Sequence, residues 1–195
     1  LLLTFLSLFF YFSVRPLTSP FSRFLLLGLL FSIGGDTLLM FFHGPASQQF
    51  FLLGLSSFLL THLFYTAAFV RLQKEGIVYR RPWKAWPLLL YWLAIAAVLW
   101  PDLTGALRWP VLLYSAVITA MAISCLNLRD YLSTELFRAL FLGVFLFLIS
   151  DTVIAFNVFK SEQFAIPYPR LIIMSTYLLG QYLIAVSSAR IARGQ

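Results

Sequence analysis

The chain of 195 residues is 61% hydrophobic and 18% aromatic, with only 11% charged, far below the roughly 25% charged residues of a soluble domain. Such a composition excludes a water-soluble fold and predicts a single transmembrane helical domain over 1–195. The net charge of +7 would suggest nucleic acid in a soluble protein, but the basic residues here punctuate apolar runs and read as topology signals, so no nucleic-acid partner is expected. The lone Cys125 lies inside an apolar run, which excludes an internal disulfide and predicts a packing role.

A spanning helix needs about 20 apolar residues to cross about 30 Å of hydrocarbon. In chain order, the apolar runs predict seven helices, at 1–14, 21–42, 47–70, 84–101, 106–127, 136–158 and 170–191. The breaks carry Arg15-Pro16, Ser19-Pro20, His43-Gly44-Pro45, Arg81-Pro82, Pro101-Asp102 with Gly105, and Pro167 with Pro169, residues that interrupt helical runs. The first run, LLLTFLSLFFYFSV, is too short to span comfortably and begins abruptly without methionine. It also lacks the charged front and cleavage site of a signal peptide, and an eighth helix upstream is expected.

Lys and Arg fall unevenly on the two sides of this predicted path. One side holds eleven of the fourteen, including Arg71, Lys74, Arg80, Arg81 and Lys84, and the other holds only Arg108, Lys160 and Arg170. Positively charged loops stay in the cytoplasm, which places the carboxyl terminus and the 71–84 loop inside.

An internal repeat is expected. The segments LLFSIGGDTLLMFF and VFLFLISDTVIAFNVF share an Asp-Thr step at Asp36-Thr37 and Asp151-Thr152, and in the following helices Phe58 aligns with Tyr177 and His62 with Gln181. Both pairs start on the same side, which predicts two parallel four-helix pseudo-repeats about an axis along the membrane normal, counting the upstream helix. Of the seven acidic residues, only Asp36 and Asp151 lie inside predicted helices. An ionised carboxylate facing lipid costs at least about 2.5–3.5 kcal/mol, so both are expected to face the bundle interior, where such groups mark a pathway or site. Counting from Phe21 and from Arg138, Asp36 and Asp151 lie at a shared depth of about 20–22 Å from the cytoplasmic end. Helices 21–42 and 136–158 are therefore expected side by side at the centre, with both carboxylates on one cavity.

Other chemistries lack their residues. His43 and His62 are the only histidines, too few to predict a zinc site, so no metal and no cofactor are expected. No nucleophile elbow or phosphate loop occurs. Paired intramembrane aspartates with a histidine would also suit a small proton-coupled transporter, although apart from Gly34-Gly35 the relevant helices lack the Pro or paired-Gly breaks of unwound carrier sites.

FSIGGDTLLM followed by FLLGLSSFLLTHLFY, then FLFLISDTVIAFNVF followed by STYLLGQYLIA, resembles the YhhN-type membrane family, the lysoplasmalogenases. The residues that carry the resemblance are Asp36, His62, Tyr65, Ser150-Asp151, Asn157, Tyr177 and Gln181, with Tyr114 and Met121 on one helical face. The resemblance implies eight helices, of which the first, and the Lys-Pro pair opening the second, would precede Leu1. It further implies a membrane-embedded hydrolase that cleaves the vinyl ether bond of lysoplasmalogens to a fatty aldehyde and glycerophospho-ethanolamine or glycerophosphocholine. Asp36 and Asp151 would then be catalytic, and His62, Tyr65, Tyr114, Ser150, Asn157, Tyr177 and Gln181 would line the substrate. The partners are a lysophospholipid substrate and membrane lipid, and the small size suits a bacterial inner membrane. Vinyl ether hydrolysis needs a proton donor for the alkene carbon and an anion to balance the oxocarbenium ion, and two aspartates supply both. At this stage either aspartate can fill either role.

A cysteine introduced at Glu75 in the 71–84 loop is expected to react with a membrane-impermeant thiol reagent only after the cells are permeabilised. Efficient labelling of intact cells would reverse the predicted orientation.

Overall fold

The computed structural model describes residues 1–41, 47–73, 75–103 and 105–194. The chain is all-helical, with α1 (Leu2–Val14), α2 (Pro20–Met40), α3 (Ser47–Leu72), the single turn α4 (Ile77–Arg80), α5 (Trp86–Leu99), α6 (Arg108–Leu126), α7 (Thr134–Phe159) and α8 (Pro169–Ala192). Among the described residues six helices are long and apolar enough to cross a membrane, with α1 a shorter apolar helix. At 1.5 Å per residue, the thirteen residues of α1 rise about 20 Å. This is an all-α membrane protein.

Local chemistry sets the helix ends. Ser19 caps α2 by accepting from the Ser22 N–H at 3.1 Å, with Pro20 as the first helical residue, and Ser133 caps α7 in the same way through Leu136. Proline suits a first turn because its missing N–H has no helical partner there. Two details depart from the predicted boundaries. The 71–84 segment contains the helical turn α4, and the predicted 84–101 helix opens as a 3-10 turn at Pro82–Ala85 before becoming α-helical. Pro82 and Pro87 both find places in opening turns.

The long helices are apolar on nearly every side. Leu30, Leu63, Leu93, Leu142 and Phe145 stand exposed on the outer faces, as a lipid solvent requires, while one cluster of buried side chains draws on α1, α2, α3, α5, α6, α7 and α8. The α2–α3 and α7–α8 hairpins form the most extensive packing, α1 rests on α2 and α8, and α6 rests on α7 and α3. α5 is peripheral, packing on α6 and more lightly on α7, and is tied inward by Trp92 Nε1–H donating to Ser115 Oγ at 3.1 Å.

Contrary to the expectation from the sequence, α2 and α7 are not packed side by side. Aromatic side chains of α3, α7 and α8 fill the space between. Phe58, Phe147 and Tyr177 meet edge to face, with ring centroids 5.2–6.3 Å apart, the arrangement that ring quadrupoles favour.

Glycines let the hairpins close. A Cβ on Gly143 would stand 2.9 Å from the Gly180 carbonyl oxygen, and one on Gly180 would stand 2.8 Å from the Gly143 carbonyl oxygen, so α7 and α8 touch backbone to backbone. Small residues supply this closeness in membranes, where dispersion replaces the hydrophobic drive. In the other hairpin Gly28 accommodates the Tyr65 ring beside the Thr61 carbonyl. Under the alignment of Asp36 with Asp151 and His62 with Gln181, Gly28 corresponds to Gly143, Thr61 to Gly180 and Tyr65 to Ile184.

Gly143→Val and Gly180→Val are each expected to lower the melting temperature in detergent by roughly 2–12 °C, the range given by overpacking costs of about 1–3 kcal/mol in a chain of this size. Lipid-facing Leu142→Ala, on the adjacent position, is expected to change it little. Equal melting temperatures for all three would remove the close backbone crossing from the account of stability.

Candidate active site

A cleft of about 570 Å³ opens between α1, α2, α7 and α8, and both Asp36 and Asp151 line it. Helical periodicity explains how. On α8 the lining residues Arg170, Ile173, Met174, Tyr177 and Leu178 recur at i, i+3, i+4, i+7 and i+8, a single face. α2 contributes Ile33, Asp36, Thr37 and Met40, and α7 contributes Ser150, Asp151 and Ile154, again with helical spacing. The carboxylates therefore meet one space although their helices do not pack together.

Asp151 is held from behind. Tyr114 Oη on α6 donates a close hydrogen bond to Asp151 Oδ2, and His62 Nε2 on α3 lies 3.3 Å from the same oxygen and 2.9 Å from Tyr114 Oη. Because the tyrosine proton is directed to the carboxylate, the histidine hydrogen belongs on Nε2, the atom facing both oxygens. His62 is fully buried, with its ring edge-on to Phe147 at 4.8 Å, and its Nδ1 has no hydrogen-bond partner among the described residues. Next to Asp151, Thr152 Oγ1 is hydrogen-bonded to Tyr91 Oη on α5 and donates to the Leu148 carbonyl at 2.7 Å. Three helices thus fix the position of one carboxylate.

Asp36 is less closely held. Across the cleft it faces the hydroxyl of the buried Tyr177 on α8, the one side-chain donor directed at it among the described residues. Ser150, fully buried, donates to the Ile173 carbonyl at 3.2 Å, tying α7 to α8 at the cleft floor.

A second polar network runs deeper. Tyr65 Oη donates to Gln181 Oε1 at 2.8 Å, Gln181 Nε2 donates to Ser32 Oγ at 2.8 Å, and Ser32 donates to Thr61 Oγ1 at 3.3 Å. Tyr65, Gln181, Ser32 and Thr61 are all fully buried. A buried amide with its carbonyl and N–H both matched is strongly oriented, and this one joins α8 to α2 and α3 beneath the cleft.

The structure therefore divides the sequence-predicted residues. Asp36, Ser150, Asp151 and Tyr177 line the cleft, His62 and Tyr114 stand behind Asp151, and Tyr65 and Gln181 form the inner network. Asn157 is exposed on α7 beyond the cleft. His43 lies outside the described residues, among which no group of three or more His, Cys, Asp and Glu side chains converges. Sequence reasoning did not single out Ser32, Thr61, Tyr91 or Arg170. Arg170 was counted only as a loop charge, although its spacing of seven from Tyr177 puts both on one helical face.

The YhhN family description matches residues 1–188. The human protein named lysoplasmalogenase TMEM86A is 37% identical over 177 residues, covering 88% of this chain and 68% of the relative. The bovine protein of the same name is 35% identical over 178 residues, with the same shares covered. No solved structure matches the chain. With the family description spanning nearly every residue and these relatives aligned over most of both lengths, the chain belongs to the YhhN family.

Proposed function

We propose that this chain is a membrane-embedded hydrolase that cleaves the vinyl ether bond of lysoplasmalogens at the cleft between α2, α7 and α8, releasing a fatty aldehyde and a glycerophospho-alcohol. The observation that carries the reading is a pair of carboxyl groups on one cleft in unequal surroundings, Asp151 receiving hydrogen bonds from Tyr114 and His62 while Asp36 faces the Tyr177 hydroxyl alone. The printed name of the human and bovine relatives supports the substrate class.

The unequal surroundings assign the roles. Asp151, matched by two donors, is the anion. Asp36, with fewer donors, carries the proton and delivers it to the outer alkene carbon. The oxocarbenium ion that results is balanced by Asp151, which takes a proton from the attacking water as the new C–O bond forms. When the hemiacetal collapses, Asp36 recovers a proton from the hemiacetal hydroxyl and Asp151 gives its proton to the departing glycerol oxygen. Both carboxyl groups end as they began, and no other reactant is consumed.

The apolar wall of Leu39, Ile154, Met174 and Leu178 suits the alkyl chain, each buried methylene contributing about 0.8 kcal/mol. His62 and Tyr114 act through Asp151, and Tyr65 and Gln181 through the placement of α8. The similar positions of Gly28 and Gly143 support two related halves meeting at this cleft, with the basic face and the carboxyl terminus in the cytoplasm. α2, α3, α7 and α8 each run as one unbroken helix past the level of the carboxylates, which favours an enclosed reaction site over a carrier with unwound binding segments.

Asp36→Asn and Asp151→Asn are each expected to lower aldehyde release from a lysoplasmalogen by at least about 10²–10⁴-fold, the usual worth of general acid–base catalysis, with the double variant little worse than either. A folded variant that kept more than a tenth of wild-type turnover would exclude that carboxylate from the reaction. Purified wild-type protein that releases no aldehyde from lysoplasmalogen in detergent would refute the hydrolase reading itself.

Tyr114→Phe and His62→Ala each remove one donor from Asp151 and are expected to cost roughly 10–100-fold in kcat, from a charge-assisted hydrogen bond of about 1.5–3 kcal/mol. Both losses are expected to shrink when the substitutions are made in Asp151→Asn, a coupling measured by double-mutant cycles. Losses that simply multiplied would show that the tyrosine and histidine act independently of the aspartate.

A further inference from the structure

Two carboxylates alone would repel the phosphodiester that every lysophospholipid carries, and the cleft contains one cationic side chain, Arg170, in the first turn of α8. Arg170 is exposed and makes no hydrogen bond or ion pair with any described residue. Its surroundings differ from those of the other two basic residues placed on the same side by the sequence, Arg108 and Lys160. Arg108 donates to the Leu103 carbonyl at 2.8 Å and lies over the Trp100 ring at 4.6 Å, and Lys160 is paired with Asp102. Arg170 alone of these three basic residues is left free, and it is the one that opens onto the carboxylates.

Distance along α8 matches the substrate. From Arg170 to Tyr177 is two helical turns, about 10 Å of rise on one face. In a lysoplasmalogen, seven bonds separate phosphorus from the alkene carbon that takes the proton, and at about 3.5 Å for three extended bonds they span about 8 Å. A phosphate at Arg170 therefore brings the vinyl ether to the level of Tyr177, beside which Asp36 stands. The buried Tyr177, beside Asp36 on the same cleft, is placed to meet a glycerol oxygen lying between the two ends.

We propose that Arg170 is the specificity-determining residue of this cleft, binding the phosphodiester of a single-chain ether phospholipid and so setting the depth at which its ether bond lies. The proposal rests on the hydrolase reading for its choice of substrate, but binding can be measured without turnover. Guanidinium presents two parallel N–H donors to two phosphate oxygens, a match that an ammonium lacks, and it sits where the head group would leave hydrocarbon for water.

The test uses the full chain in detergent and two non-hydrolysable probes, a 1-O-alkyl-glycerophosphoethanolamine and the 1-O-alkylglycerol that lacks the phosphate. Wild-type protein is expected to bind the phospholipid at least about tenfold more tightly, and Arg170→Ala to lose most of that preference, with Arg170→Lys in between. A Tyr177→Phe variant is expected to weaken both probes together, because its contact is to glycerol. Equal binding of the two probes by wild-type protein, or an undiminished preference in Arg170→Ala, would overturn the proposal. So would inorganic phosphate alone giving the same Arg170-dependent stabilisation as the phospholipid, since that describes a small-anion site. Failure to release aldehyde from lysoplasmalogen counts against the hydrolysis and leaves the probe preference to decide the role of Arg170.

Discussion

A carboxylate within a hydrocarbon layer has to find its hydrogen-bond donors in the protein, and the arrangement around Asp151 follows from that requirement. Its donors come from α6, the helix that precedes α7, and from α3, much earlier in the chain, and Tyr114 and His62 also touch each other. Once these three side chains are joined, α6 has to lie against α3 and α7 together, which is where it packs. Removing one donor leaves a buried polar group short of a partner, a larger loss than trimming one of the apolar contacts around it. The cleft is then bounded on one side by Asp151, held by two donors, and on the other by Asp36, which faces Tyr177.

Much of this was legible in the sequence, and the part that was not has a common cause. Asp36 and Asp151 stood out as the only acidic residues inside apolar runs, and the predicted helix starts lie within two or three residues of those in the structure. The spatial order of the helices did not emerge, because helices that are apolar all round show no periodicity that says which face meets which neighbour. Matched depth therefore suggested that α2 and α7 adjoin, while the ring cluster of Phe58, Phe147 and Tyr177 separates them. The bond between Tyr65 and Gln181 was hidden by the same lack of periodicity, since nothing in either helix says that the two side chains meet. Arg170 was hidden for a different reason, since a charge beside a proline break reads as topology until the face it shares with Tyr177 is considered.

Aligned through Asp36 and Asp151, the two hairpins carry different side chains at matching positions. Gly28 and Gly143 occupy corresponding crossings, yet the position of Ser32, which receives the Gln181 amide, corresponds to Phe147, and Phe58 corresponds to Tyr177. Polar atoms hold α8 to α2, whereas α3 meets α7 through ring faces as well as the His62–Asp151 contact. His62 and Gln181, also corresponding, turn to different partners. One supports a carboxylate facing the cleft and the other closes an internal network.

α8 unites these functions along one twelve-residue stretch, with Arg170 at the mouth, Tyr177 in the cleft, Gly180 at the crossing with α7 and Gln181 in the deep network. Each position is tolerant or intolerant of substitution on its own terms, but all four share a helical phase. Adding or deleting one residue between Arg170 and Tyr177 would turn the mouth by about 100° against everything below it and shift it by about 1.5 Å. Either the arginine would leave the cleft or the glycine and glutamine would leave their partners. The length of this segment is therefore under tighter constraint than the identity of most of its residues.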